Sequence, residues 1–198
     1  MTRPITGFAM TAAALILGGC TETPPVEVTR FHDEAVARAG TISVIASDSR
    51  DAGSLEFRST ANAVATALNR AGFQVANDGA TDTAFRAIVE LRRETLPPGL
   101  QRRSPVSVGV GGSTGSYGSG VGMGLSINLS GKPKPTVTTQ LRVQIRRAGD
   151  DKAIWEGRAE TSAKEGSPEA QPGVAASKLA DALFRDFPGA SGQTMTVQ

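Results

Sequence analysis

Val137-Thr138-Thr139-Gln140-Leu141-Arg142-Val143-Gln144-Ile145-Arg146 alternates at every step. Val137, Thr139, Leu141, Val143 and Ile145 fall on one side, and Thr138, Gln140, Arg142, Gln144 and Arg146 on the other. A period of two places successive side chains on opposite faces of an extended chain, so this is a strand with one dry and one wet face. Gly149-Asp150 then turns the chain into Ile154 to Thr161, which predicts a hairpin. Upstream, Phe85, Ala87, Val89 and Leu91 alternate with Arg86, Ile88, Glu90 and Arg92 in the same way.

Working outward, the segment toward the N-terminus changes character. Ile42-Ser43-Val44-Ile45-Ala46 is nearly continuous apolar and β-branched, as a central strand or one covered on both faces would be. Asp48 to Gly53 turns the chain. Ser54 suits an N-cap, Glu56 puts negative charge in the first helical turn, and Phe57, Ala61, Val64, Ala65 and Leu68 form a helical stripe stopped by Gly72. Phe73 to Ala76 predicts the next strand. A strand, helix, strand unit of this length implies a right-handed crossover between parallel neighbours. Toward the C-terminus, Ser167-Pro168-Glu169 offers a helix start that Pro172-Gly173 delays. Ala175, Leu179, Ala182, Leu183 and Phe187 supply its stripe, and Phe187-Pro188-Gly189 ends it.

These elements predict an α+β fold: a two-layer sandwich with a mostly antiparallel sheet of about five strands and two helices on one face. The other sheet face stays wet. There Arg86, Glu90, Arg92, Arg142, Arg146, Glu156, Arg158 and Glu160 are expected to form cross-strand ladders that solubilise the face, or a docking surface for an acidic partner. Arg92, Arg142 and Arg146 are the candidate contact residues on it.

Between Pro105 and Lys132, valines and other apolar residues alternate with Gly or Ser on both sides of a glycine-rich centre. The pattern predicts a β-hairpin insertion over 106–131, with its tip near Gly115 to Gly118. Val108, Val110, Tyr117, Val121 and Met123 are its candidate contacts. Glycine loses more backbone entropy on ordering than any other residue and packs nothing, so such a hairpin needs a partner or moves freely.

The chain of 198 residues opens with Arg3, an uncharged stretch from Ile5 to Leu17, and Leu17-Gly18-Gly19-Cys20. A basic start, an apolar run of about a dozen residues and small residues before a cleavage point are the zones of an export signal, too short to span a bilayer. Leu17-Gly18-Gly19-Cys20 resembles the lipobox of bacterial lipoproteins, which implies cleavage before Cys20, lipid on its thiol, and residence in the cell envelope. By the same resemblance, Thr21 in place of aspartate favours the outer membrane. Each buried acyl methylene contributes about 0.8 kcal/mol and one chain holds only marginally, so several chains on one cysteine make a firm anchor. The expected organisation is a signal at 1–19, a lipidated tether at 20–27, one domain at 28–189, and a flexible tail at 190–198.

Cys20 is the only cysteine, so no disulfide can form within the chain and the core alone must hold the fold. The formal charge is +2, and removing Arg3 with the leader leaves +1, which offers no electrostatic basis for nucleic-acid binding. No run satisfies G-x-G-x-x-G, and Gly131-Lys132 lacks the rest of a phosphate loop, so no nucleotide or other small-molecule cofactor is expected. His32 is the sole histidine, and neither H-E-x-x-H nor D-x-D-x-D-G occurs, so no metal is expected. Gly111-Gly112-Ser113-Thr114-Gly115 matches the G-x-S-x-G elbow formally, but glycines follow where a helix must start. A hydrolase using Ser113, or paired acids, with His32 is therefore the lesser reading. Arg30-Phe31-His32-Asp33 reads as an edge strand or turn, with His32 as a surface hydrogen-bonding residue.

Val28-Thr29-Arg30-Phe31-His32, Ser54-Leu55-Glu56-Phe57, Leu68-Asn69-Arg70-Ala71-Gly72-Phe73, the Gly/Val segment and Ile154-Trp155-Glu156-Gly157 together resemble a bacterial lipoprotein family, the domain of unknown function 4136. The resemblance spans roughly Val28 to Phe187 and implies fold and address, with no catalytic residue to carry over. The expectation is an envelope lipoprotein that acts as a non-catalytic binding or scaffold module. Its partners would be the membrane through Cys20, and an envelope protein or further copies of itself through the glycine-rich hairpin.

Overall fold

The computed structural model describes residues 23–33, 36, 39–77, 79–98 and 133–198. Cys20, Ser113 and the hairpin candidates Val108, Val110, Tyr117, Val121 and Met123 lie outside the described residues. The elements are β1 (Val26–His32), β2 (Gly40–Ala46), α1 (Leu55–Arg70), β3 (Phe73–Val75), β4 (Phe85–Leu96), β5 (Thr136–Arg147), β6 (Ala153–Lys164), α2 (Pro172–Phe184) and β7 (Thr194–Val197). One 3-10 turn, Pro168–Ala170, precedes α2.

The strands form one sheet in the order β3-β2-β4-β5-β6-β1-β7. The expected α+β class holds, but the sheet has seven strands where about five were expected, and it is mixed. β2 pairs parallel with both β3 and β4, while the remaining pairings are antiparallel. β7 was not expected, and β1, expected at Arg30 to Asp33 only as an edge strand or turn, was obscured for a physical reason. β1 points Arg30 inward and Phe31 outward, the reverse of a hydrophobic alternation. It is also no edge, because β6 pairs along one side and β7 along the other. Residues 190–198, expected as a tail, carry β7, whose Thr194 hydroxyl lies 2.7 Å from that of Thr29. Val26, assigned to the tether, is fully buried in the core.

Local chemistry explains the helices. The Ser54 hydroxyl accepts from the Phe57 N–H at 3.0 Å, and Glu56 and Arg70 sit at the ends of α1 where the helix dipole favours their signs. Pro172 occupies the first turn of α2, where its missing N–H costs nothing, so the helix starts there as Pro172-Gly173 predicted. Both helices cover one sheet face. Val64 and Leu68 of α1 and Leu179 and Leu183 of α2 meet Ile42, Leu141, Val143 and Ile145 in a single core. Trp155 stacks on Phe184 with ring centroids 5.2 Å apart, and its indole N–H donates to the Pro188 carbonyl at 3.1 Å.

The connection from β3 to β4 crosses β2 on the open face of the sheet. Ala84 N–H donates to the Thr41 hydroxyl at 3.0 Å, and the hydroxyls of Ser43 and Thr83 lie 3.3 Å apart. That crossing buries Ser43 on a face that is otherwise wet. β4 and β2 begin together, with Phe85 opposite Ile42, but β2 ends at Ala46, opposite Val89, whereas β4 continues to Leu96.

Candidate functional site

The open face of β4, β5, β6 and β1 holds the charged residues that the period-two pattern placed there. Arg142 donates to Glu156 at 2.6 Å, and the same carboxylate accepts from the Gln144 amide at 3.1 Å. Arg146 reaches the Gln144 amide oxygen at 2.7 Å and shares Asp151 with Arg86, each at 2.8 Å. Arg92 pairs with Glu90 at 2.7 Å, and the Gln140 amide donates to Glu160 at 2.8 Å. Arg92, Arg142 and Arg146 therefore all lie on one face as expected, and each is already engaged by an acid or amide of its own chain. Exposed pairs of this kind contribute about 0.2–1 kcal/mol, so the lattice serves solubility and strand register. Phe31, 56% exposed, stands on the same face opposite Glu156.

His32 is held structurally. Its Nδ1 lies 2.8 Å from the Asp33 carbonyl and its Nε2 lies 3.0 Å from the Gly189 carbonyl, which ties β1 to the chain leaving α2. Lys152 donates to Asp33 at 2.9 Å, and this hydrogen bond, with the ammonium charge, holds the Asp33 carboxyl below its ordinary range. Among the described residues there is no group of His, Cys, Asp and Glu that could hold a metal ion.

Two features at the sheet margin were not legible in the sequence. The first is a groove of about 410 Å³ where β3 stops short of β2. Phe57, Ala61 and Ala65 look into it, together with Val44, Val75 and Ala76. The stripe read for α1 is thus divided: Val64 and Leu68 enter the core with Thr60 and Ala67, and the rest line the groove.

The second feature is the free edge of β4. Beyond Val89, among the described residues, β4 has a strand partner on the β5 side only. Ser47 N–H donates to the Val89 carbonyl at 2.9 Å, which fixes the phase of the edge. Alternate residues of a strand turn N–H and C=O to the same side, so Leu91, Arg93 and Thr95 present theirs outward. On the face beneath, the Arg93 guanidinium donates to the Ala170 carbonyl at 2.6 Å. The cross-strand row Arg92, Gln140, Glu160, Glu27 sets this edge level with the start of β1, so the chain enters the domain at the same height.

Comparison with known proteins bears on this architecture. The family described as Domain of unknown function (DUF4136) matches residues 29–189. An uncharacterized protein of Zymomonas mobilis subsp. mobilis is 35% identical over 227 residues, which cover 94% of this chain and 84% of that protein. Among solved structures, a PelC dodecamer from Paraburkholderia phytofirmans aligns with a TM-score of 0.42 at 12% identity, over 80% of this chain and 94% of that one. A PDZ domain protein from Parabacteroides distasonis aligns with a TM-score of 0.49 at 10% identity, over 88% of this chain and 39% of that one.

Proposed function

The chain belongs to the family of the domain of unknown function 4136, and from that premise we propose that it is a lipid-anchored envelope protein whose domain binds a partner by accepting a strand at the free edge of β4. The observation that carries the binding role is the length mismatch in the sheet. β4 outruns β2 by seven residues, and an edge of that length with no strand beside it among the described residues offers a ready row of backbone donors and acceptors. The charged open face competes less well as a docking surface, because Arg86, Arg92, Arg142 and Arg146 already have acidic partners within the chain.

The support for the anchor is Leu17-Gly18-Gly19-Cys20 behind an uncharged stretch of export-signal length. Val26 begins β1 six residues after Cys20, and at about 3.3–3.6 Å per extended residue that tether reaches on the order of 20 Å. The domain then works close to the bilayer. Outer-membrane residence, indicated by Thr21, is part of the same reading.

Photocrosslinking in intact cells tests the binding role, with a photoreactive residue at Thr95 on the edge and a control at Gln144 on the open face. The reading expects a defined product, an envelope protein or a second copy, from Thr95. Capture at Gln144 with none at Thr95 would move the site to the open face.

A further inference from the structure

We propose that the strand accepted at the β4 edge is the same edge of a second copy of this chain, paired antiparallel about a twofold axis at Arg93. The inference rests on the strand-accepting reading above and names its partner. A closed twofold contact must be self-complementary, so the edge sequence read forward has to match itself read backward. The outward groups of Leu91, Arg93 and Thr95 restrict the pairing to registers that place odd-numbered residues opposite one another.

Charge selects among these registers. With Arg93 opposite its own copy, Leu91 faces Thr95, and Arg92 faces the second copy's Glu94 twice over, once on each side of the axis. Shifted one way, Arg92 would face Arg92 and Glu90 would face Glu94. Shifted the other way, Glu94 would face Glu94 and Arg92 would face Leu96. A two-step shift centred on Leu91 would set Glu90 opposite Arg92, but it needs the Val89 carbonyl that the Ser47 N–H already holds, so among the registers clear of Ser47 only the one centred on Arg93 sets opposite charges side by side on the open face. The two Arg93 side chains avoid each other because each is drawn under its own sheet to the Ala170 carbonyl.

The surroundings fit this occupant. Charged residues on an edge disfavour pairing with a chain that cannot offset them, and because Glu90-Leu91-Arg92-Arg93-Glu94 carries both signs, an antiparallel second copy can offset them. Pro97 and Pro98, which lack an N–H, end the run after Leu96, and β2 bounds it at the other end, at Val89.

Light scattering and sedimentation of the whole chain in mild detergent test the proposal. The expected species is a dimer, and Arg92→Glu weakens it on the order of tenfold by setting like charges opposite twice. Arg92→Glu combined with Glu94→Arg restores it. Thr95→Pro removes an outward N–H and yields a monomer whose thermal melting is unchanged, as an edge proline permits. If that variant does not fold, the charge swap still decides. A monomer at every concentration, or a dimer indifferent to both Arg92→Glu and Thr95→Pro, overturns the proposal. A monomer that still captures an envelope protein at Thr95 in cells overturns the dimer alone and leaves the strand-accepting role intact.

Discussion

Arg30 in β1 donates through Nε to the carbonyl oxygen of Leu183, near the C-terminus of α2, at 2.9 Å. Its Nη2 reaches the carbonyls of Ala182 at 2.8 Å and Arg185 at 3.0 Å, so one guanidinium satisfies three oxygens that the helix end leaves open. The side chain is 3% exposed, and burial lowers its pKa, opposed by the nearby charge of Asp186. The cation suits the negative end of the helix dipole, and it locks the helix layer to the sheet.

Replacing Arg30 by Met keeps the volume and removes the donors. Hydrogen bonds to charged groups contribute about 1.5–3 kcal/mol each, and the stranded carbonyls add a desolvation cost, so Arg30→Met is expected to destabilise by about 3 kcal/mol. Urea unfolding measures it. A midpoint unchanged from the parent would mean that the three carbonyls find water at no cost.

Gly157 supports the aromatic cluster by having no side chain. A methyl there would come within 2.4 Å of the Trp155 ring and 2.7 Å of a Leu183 methyl, both in the packed core. Overpacking costs about 1–3 kcal/mol, so Gly157→Ala lowers stability by that amount and perturbs the Trp155 fluorescence. Gly166, beyond the end of β6, faces open space, but its φ of +79° makes any side chain strained there, so Gly149→Ala, which meets nothing within 4 Å, is the better control.

The Asp33 carboxyl titrates below its ordinary range because Lys152 donates to it. A carboxyl with a depressed folded-state pKa contributes stability that is present above its unfolded pKa and lost as pH falls through the folded value. An NMR titration of Asp33 is expected to give a midpoint below the usual aspartate value, and Lys152→Ala should return it there. Both groups are exposed, so raising the salt concentration should shrink the difference.

The antiparallel heart of the fold was legible because β5 keeps a period of two over its whole length, β4 keeps it as far as Leu91 and β6 keeps it beyond Trp155. The β2-α1-β3 unit was legible from Ser54 and Gly72. β1 was obscured by Arg30, whose inward position makes sense only once the end of α2 lies beneath it. β7 is four residues long, and no local signal distinguishes it from a tail. At the candidate site, Arg92, Arg142 and Arg146 were assigned to the correct face by alternation. The free edge of β4 could not be read, because it depends on how far β2 extends beside β4. That is a relation between segments distant in sequence.

The divided stripe of α1 yields a further expectation. Leu68→Ala removes a fully buried side chain and should cost about 2–5 kcal/mol, while Ala61→Ser, in the groove, should stay within about 0.5 kcal/mol. Equal losses in thermal or urea unfolding would place both residues in one core.

The proposed function turns on lipid at Cys20, an anchor that would give the domain its place and bring β4 edges together on one surface. The direct measurement is intact mass and N-terminal peptide mass of the protein extracted from cell membranes. The account predicts a chain beginning at Cys20 and carrying acyl chains, with Cys20→Ala abolishing both the modification and the membrane association. A mature chain that begins elsewhere, or an unmodified Cys20 on a freely soluble protein, would contradict it.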